Sequence, residues 1–287
     1  MAHMEVTLRA VGSVLTRTGG YLDGVASHSL QPYRGCPLGK SLCGVGCYVQ
    51  HARHLLAGRA WGSFVDVREN AAASYREQVG RERRWARRKH GLFSVFLSSA
   101  TEPFPPQEAT YRVTRGVLTA MLDEPPDELI LQTHSHHVEG EGGLLAELSR
   151  RTRLRVHLSI ETDRERLPGL PRHASPVERR FTGARRLKER GIFTAITVAP
   201  LLPIADPEAF FARCAESADA VVLDHFIGGD GTADGRRTRA TPLPAAIAAI
   251  DPAALDLAYR DRMAEIARRH LPGRVGLGAP GFAGSYA

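Results

Sequence analysis

The chain has 287 residues, of which 43% are hydrophobic and 24% charged, and it carries a formal net charge of +7. These values exclude a disordered or fibrous chain and allow one large α/β domain with a full hydrophobic core. The basic balance permits an anionic partner without requiring one.

Met1-Ala2-His3-Met4 reads as an expression remnant ahead of a native start at Met4, and residues 1–28 as an N-terminal extension. The start lacks the basic-then-apolar pattern of a signal peptide. No window approaches the roughly 18 uninterrupted apolar residues that span a bilayer. A cytoplasmic protein with no membrane partner is expected.

Between Ser29 and Tyr48 lie three of the four cysteines, Cys36, Cys43 and Cys47, on a short glycine-rich loop. They are too few and too clustered for a secreted disulfide scaffold. Soft thiolates select iron-sulfur clusters, zinc or copper(I), and glycine lets a backbone wrap closely around such a centre. Three sulfurs leave one coordination position vacant, whereas structural zinc closes with four protein ligands. His51 or His54 could complete that set, so the C-x6-C-x3-C spacing alone leaves iron-sulfur and zinc both open.

Next comes a predicted helix from Phe64 to Lys89, ending in the basic run Arg81-Glu82-Arg83-Arg84-Trp85-Ala86-Arg87-Arg88-Lys89-His90. That run reads first as a solvated helix face and second as a nucleic-acid patch. Beyond it, short aliphatic runs alternate with amphipathic stretches, the pattern of successive βα units on a parallel sheet. Strands are expected near Ser94–Ser99, Glu128–Thr133, Arg155–Ile160, Phe193–Ala199, Ala220–Phe226 and Arg274–Leu277. Helices are expected near Thr110–Leu122, Leu144–Arg151, Pro176–Glu189, Pro207–Ser217 and Asp256–Arg269. Leu129-Ile130-Leu131 and Val221-Val222-Leu223 have the unbroken apolar character of strands buried on both faces. A barrel or partial barrel with right-handed crossovers follows, with its reactive groups at the carboxyl edge of the strands.

The segments at those edges are polar: Ser98 to Glu102, Thr133 to His137, Ser159 to Thr162, Pro200 to Pro203, and Asp224-His225. Three histidines, His134, His136 and His137, invite a second metal-site reading, but in an extended segment only His134 and His136 share a face. Asp224-His225 is a candidate acid or base, or a hydrogen-bonded pair. The Gly- and Ala-rich tail from Gly276 to Ala287 reads as a loosely held end.

From Ser29 to Pro203 the chain resembles the radical S-adenosylmethionine (AdoMet) proteins related to spore photoproduct lyase. The matching stretches are Gln31 to Cys36, Cys47-Tyr48, Val67 to Ala71, Ser99 to Pro106 with Tyr111 to Arg115, Leu144 to Arg153 leading into Val156 to Ile160, Ser175 to Arg180, and Ala199 to Pro203. Their order and spacing carry the resemblance. It implies a partial (β/α)6-type TIM barrel over residues 29–287, with a core at 29–228 and a C-terminal extension at 229–287.

The resemblance further implies that Cys36, Cys43 and Cys47 hold a [4Fe-4S] cluster whose open iron binds AdoMet. The family cleaves AdoMet reductively to a 5′-deoxyadenosyl radical that abstracts hydrogen from substrate, in lyase- or oxidoreductase-type reactions. Ser99 and Thr101 would meet the methionine end, Ser159 and Glu161 the ribose, and the backbone at Pro200 and Leu201 the adenine. His134, Asp224 and His225 are the candidate catalytic groups. A low-potential electron donor such as flavodoxin or ferredoxin is implied, and the substrate is a small molecule, a peptide or nucleic acid. The alternative is a zinc-binding nucleic-acid module without radical chemistry.

The chain departs from the family in three places. The usual spacing is C-x3-C-x2-C with an aromatic before the last cysteine, where this chain has Gly46. His134 stands where the family often has lysine, so the clamp on the AdoMet carboxylate would be histidine or absent. The hydrogen-relaying cysteine of the lyase has no counterpart, since Cys214 falls on a predicted helix.

Overall fold

The computed structural model describes residues 4–287. Met1, Ala2 and His3, most of the presumed remnant, lie outside the described residues, as does the side chain of His54. Eleven strands are formed among the described residues: β1 (Glu5–Leu8), β2 (Leu15–Arg17), β3 (His28–Leu30), β4 (Tyr33–Gly35), β5 (Phe64–Val67), β6 (Ser94–Leu97), β7 (Glu128–Thr133), β8 (Arg153–Ser159), β9 (Thr194–Val198), β10 (Ala220–Leu223) and β11 (Val275–Leu277).

β3, β6, β7, β8, β9, β10 and β11 lie side by side in that order and all run parallel, with β2 added antiparallel on the outside of β3. Helices Val113–Asp123, Gly142–Leu148, Val177–Glu189, Pro207–Ser217 and Leu257–His270 connect successive strands from β6 to β11. The end strands β11 and β2 are not paired with each other, so this is the expected partial barrel rather than a closed one. A smaller sheet, ordered β1-β5-β4, stands beside it.

Alternation along the strands separates two environments. On β8, Leu154, Val156 and Leu158 join the main core beneath the helices. Arg155, His157 and Ser159 face the other way, into the barrel. Phe96, Ile130 and Val222 form a second apolar cluster with Phe282, and Ile130 is the register partner of Arg155.

The main sheet was largely legible: β7 has the expected bounds, and the other five expected strands lie within two residues of their places at the amino end. Three expectations need correction. The helix expected from Phe64 begins at Ala71, because Phe64-Val65-Asp66-Val67 is a buried strand whose β-branched and aromatic residues pair with both β1 and β4. The short strands β1 to β4 were not anticipated.

The tail is not loose. Ala287 exchanges backbone hydrogen bonds with Val275, donating at 3.0 Å and accepting at 3.3 Å. The turn of helix Gly278–Phe282 brings Phe282 inside the barrel, where its ring meets Tyr21, Phe96 and His157. Gly276 lets this turn approach β11, since a Cβ there would stand 2.6 Å from Gly281 Cα.

Candidate functional site

The cysteine loop is fixed by its flanks. β4 delivers the chain directly to Cys36, which precedes a 3₁₀ turn at Pro37–Lys40 and a short helix at Leu42–Gly46. Trp61 Nε1 donates to the Gly44 carbonyl at 2.9 Å, and Gln50 Nε2 donates to the carbonyls of Val45 and Cys47 at 3.0 and 2.8 Å. The loop is wound so closely that a Cβ on Gly44 would stand 2.1 Å from the Leu38 carbonyl oxygen.

Gly46, where the related family carries an aromatic, has its own packing reason. A Cβ there would lie 3.1 Å from Leu243, which belongs to a helix at Leu243–Ala248 pressed against the loop. The space an aromatic would need is already filled.

Electrostatics place the three thiols in one neighbourhood. Cys36 is pushed well above the ordinary thiol range by burial first, then by Cys43 and Cys47. Cys47 is pushed up to about 12 by burial and by Cys43. Cys43 therefore opposes ionisation of both Cys36 and Cys47, a cost that bound metal removes by taking the thiolate as ligand. Among the described residues, no three His, Cys, Asp or Glu side chains gather closely enough to hold a single metal ion. That holds for the three cysteines as well, and His51, the possible fourth zinc ligand, is exposed at the end of its turn.

Over this loop lies a charged chain from the carboxyl edge of β7 and β8. His134 sits against the Cys43 thiol, with its Nε2 3.1 Å from Glu161 Oε1. Burial disfavours the imidazolium, but Cys43 and Glu161 outweigh it and hold His134 well above its ordinary pKa. Arg180 donates to Glu161 Oε2 at 2.8 Å and to the Ser159 carbonyl at 2.6 Å. Burial alone would raise the Glu161 carboxyl; Arg180, then His134 and His173, keep it well below the usual carboxylate range. Oε1 of Glu161 is buried and makes no well-directed hydrogen bond.

The other expected contacts separate into groups. Ser99 accepts from Gln31 Nε2 at 2.7 Å, and Thr101 lies 3.3 Å from both Gln31 Oε1 and the Tyr33 carbonyl. Glu102, fully buried between them and His134, accepts from the amides of Phe104 and His134, each at 2.9 Å, and from Thr133. The hydroxyl of Ser159 belongs to a polar layer inside the barrel with Gln132 and Thr197. Pro200 follows a cis peptide bond, and the Leu201 amide donates to the Asp224 carbonyl at 2.8 Å.

Asp224 and His225 do not form a pair. Asp224 Oδ2 accepts from the Tyr21 hydroxyl at 2.7 Å, and burial raises its carboxyl to about 6 despite that bond. Both ring nitrogens of His225 are engaged by main chain, Nε2 3.2 Å from the Ala254 carbonyl and Nδ1 accepting from Ile227 at 3.1 Å. The three histidines do not converge either. His136 bonds Ser175 through Nδ1 at 2.7 Å and stacks on His137, away from the His134 pairing.

Gln31, Glu102, Arg180 and Tyr21 were not singled out individually. The first three sit inside stretches that resemble the related family, so a residue-by-residue reading could have found them. Tyr21 lies in the presumed extension and gave no signal.

Against known proteins, no family model matches the chain and no curated protein matches it. Solved structures do. A spore photoproduct lyase variant with dinucleoside spore photoproduct superposes with a TM-score of 0.63 at 15% identity, over 95% of this chain and 80% of that one. Spore photoproduct lyase complexed with the same dinucleoside gives 0.59 at 14% identity, over 95% and 81%. A doubly substituted variant with bound AdoMet and the dinucleoside gives 0.58 at 14% identity over the same shares. The fold is that of spore photoproduct lyase, as the resemblance implied.

Proposed function

We propose that this chain is a radical AdoMet enzyme, with Cys36, Cys43 and Cys47 holding a [4Fe-4S] cluster. The observation that carries the reading is the meeting of three neighbouring thiols on a closely wound loop, at the carboxyl edge of a partial barrel of the spore photoproduct lyase type. Bound there, the cluster and AdoMet would supply one-electron cleavage of a sulfonium and a carbon-centred radical that takes hydrogen from substrate.

The chain's own residues would bind and orient. Ser99 and Thr101, steadied by Gln31, would meet the methionine end, and His134 would place its charge between a cluster thiolate and the AdoMet carboxylate. Glu161, held ionised by Arg180 and facing His134 through Oε1 at 3.1 Å, would accept ribose hydroxyls at its remaining lone pairs, with Ser159 beside it. The backbone at Pro200 and Leu201 would border the adenine. Asp224, protonating near 6, is the acid or base candidate on the barrel side, paired with Tyr21. His225 is the weaker candidate, because main chain engages both its nitrogens. The substrate is a small molecule, a peptide or nucleic acid, and a low-potential reductant such as flavodoxin or ferredoxin is needed.

The test is iron and sulfide content after anaerobic reconstitution, with the electron paramagnetic resonance of the dithionite-reduced protein. Near-stoichiometric [4Fe-4S] cluster in the wild type, lost in Cys36→Ala, is expected. Zinc bound in its place, with no cluster formed, would overturn the proposal.

A further inference from the structure

Strand register brings unpartnered polar atoms together inside the barrel. His157 on β8 is the partner of Gln132 on β7, and both face inward. The Gln132 amide nitrogen donates to Ser159 Oγ at 2.5 Å and to Thr197 Oγ1 at 3.0 Å, which leaves its buried Oε1 without a donor. His157 is fully buried, and neither ring nitrogen has a hydrogen-bond partner. Ser98, one step past the end of β6, comes level with Gln132. Its buried Oγ is also unpartnered, and its φ of 72° is a strained value for a residue with a side chain. Beyond His157 the row continues to Ala195 and Ala220, which offer no polar side chain.

Buried polar atoms cost stability unless something meets them, and these stand beside an aromatic surface. The Phe282 ring centroid lies 5.7 Å from that of His157 and 6.4 Å from that of Phe96. Gln132 is only half-buried and sits one residue before the end of β7, so the row is within reach of the carboxyl edge.

The unmet atoms define what fits. Gln132 Oε1 needs a donor, and a neutral imidazole offers one donor and one acceptor. Burial, and Arg155 two residues along the same face, hold His157 neutral by pushing its pKa down to about 3. A carboxylate brings acceptors only and would oppose Oε1; an ammonium brings donors only and would meet the charge of Arg155. Adjacent strands stand about 4.8 Å apart, so the ligand's donor and acceptor must lie on one edge. A primary carboxamide or a ring amide has that edge, whereas a trans peptide bond points its N–H and C=O in opposite directions.

We infer that Gln132 and His157 form a recognition pair for an uncharged cis amide edge of the substrate, held against the Phe96 and Phe282 rings. Gln132 accepts the ligand N–H, His157 donates to its carbonyl, and the aromatic rings exclude water from both bonds. Recognition of substrate by this pair rests on the radical AdoMet reading above. The binding itself does not, because neither residue is a cluster ligand.

Four small probes test the edge. 2-Pyrrolidone and propionamide present N–H and C=O on one edge, N-methylacetamide presents them on opposite edges, and cyclopentanone has the carbonyl alone. Binding to the reconstituted holoenzyme with AdoMet is measured by ligand-observed saturation-transfer NMR titration. Wild type is compared with Gln132→Met, His157→Leu and the control Thr152→Val, which removes another buried, unpartnered hydroxyl at the amino end of β8. 2-Pyrrolidone or propionamide is expected to bind wild type with a Kd of about 1–10 mM, and the other two probes about tenfold or more weakly. Tighter binding of 2-pyrrolidone points to a ring and of propionamide to an open carboxamide; either supports the inference. Gln132→Met and His157→Leu should each weaken the preferred probe about tenfold, with Thr152→Val unchanged. Should one variant fail to fold, the other and the probe series still decide. Equal affinity for all four probes, or affinity untouched by both substitutions, would overturn the inference. So would no binding of either cis amide to wild type, the result expected if the row holds ordered water only. The cluster-free Cys36→Ala protein should keep the binding. Binding there, with no cluster formed in the wild type, would remove the radical reading and leave the amide pair standing.

Discussion

Arg180 Nη1 stands 2.8 Å from Glu161 Oε2, and neither side chain is more than 3% exposed. The pair ties helix Val177–Glu189 to the carboxyl end of β8 and sets the charge of the group proposed to meet ribose. Removing only the arginine leaves a buried carboxylate with His134 and His173 alone to compensate it. Arg180→Met is therefore expected to cost about 3–5 kcal/mol in urea unfolding, and Arg180→Met with Glu161→Gln distinctly less. Equal losses in the two proteins would mean that the pair is not coupled.

His157 is fully buried inside the barrel beside Phe282, with no hydrogen-bond partner for either ring nitrogen, and burial holds its pKa down to about 3. The unfolded chain then binds a proton that the folded chain does not. Stability from this group is present above the unfolded value of 6.5 and is lost as pH falls towards 3. The wild type should lose about 1.4 kcal/mol per pH unit in that window through this residue, and His157→Leu should lack that slope. Denaturation at several pH values distinguishes them; identical slopes would show that the ring is charged or solvated.

Asp224 has the opposite sign. Its carboxyl is raised from 3.8 to about 6, so its contribution is intact below 3.8 and is lost as pH rises through 6. Asp224→Asn keeps an acceptor for Tyr21 and is expected to be about 2–3 kcal/mol more stable than wild type at pH 8, with little difference at pH 3.5. A variant that is less stable at pH 8 would contradict this.

Gly46 and Leu243 should behave as a coupled pair. Gly46→Tyr forces the ring into Leu243 and is expected to destabilise by about 1–3 kcal/mol, whereas Leu243→Ala in the same chain should recover part of that loss. Additive effects in a double-mutant cycle would indicate that the loop and the Leu243–Ala248 helix are not in contact.

How far the sequence could be read depends on the length scale of each signal. β7 and β10 announce themselves as unbroken apolar runs because helices or barrel interior cover both faces. β1 to β4 are three or four residues each, too short for periodicity to register, and β5 runs into a long helix with no break but Asn70. Glycines in the tail suggested mobility, yet Gly276 is the small residue that lets the final turn close on the barrel. Within the site, motif order singled out the cysteines, His134 and Glu161, but not the ion pair that joins His134 to Glu161. The contact of Tyr21 with Asp224 was not legible, because it joins positions 203 residues apart.

The central claim is tested most directly by 5′-deoxyadenosine formation. The protein is reconstituted anaerobically with iron and sulfide, supplied with AdoMet and dithionite, and its product measured against Cys43→Ala. The account predicts AdoMet-dependent 5′-deoxyadenosine from the wild type and none above background from the variant. Absence of product from wild-type protein with an intact cluster, or equal product from both proteins, would contradict it.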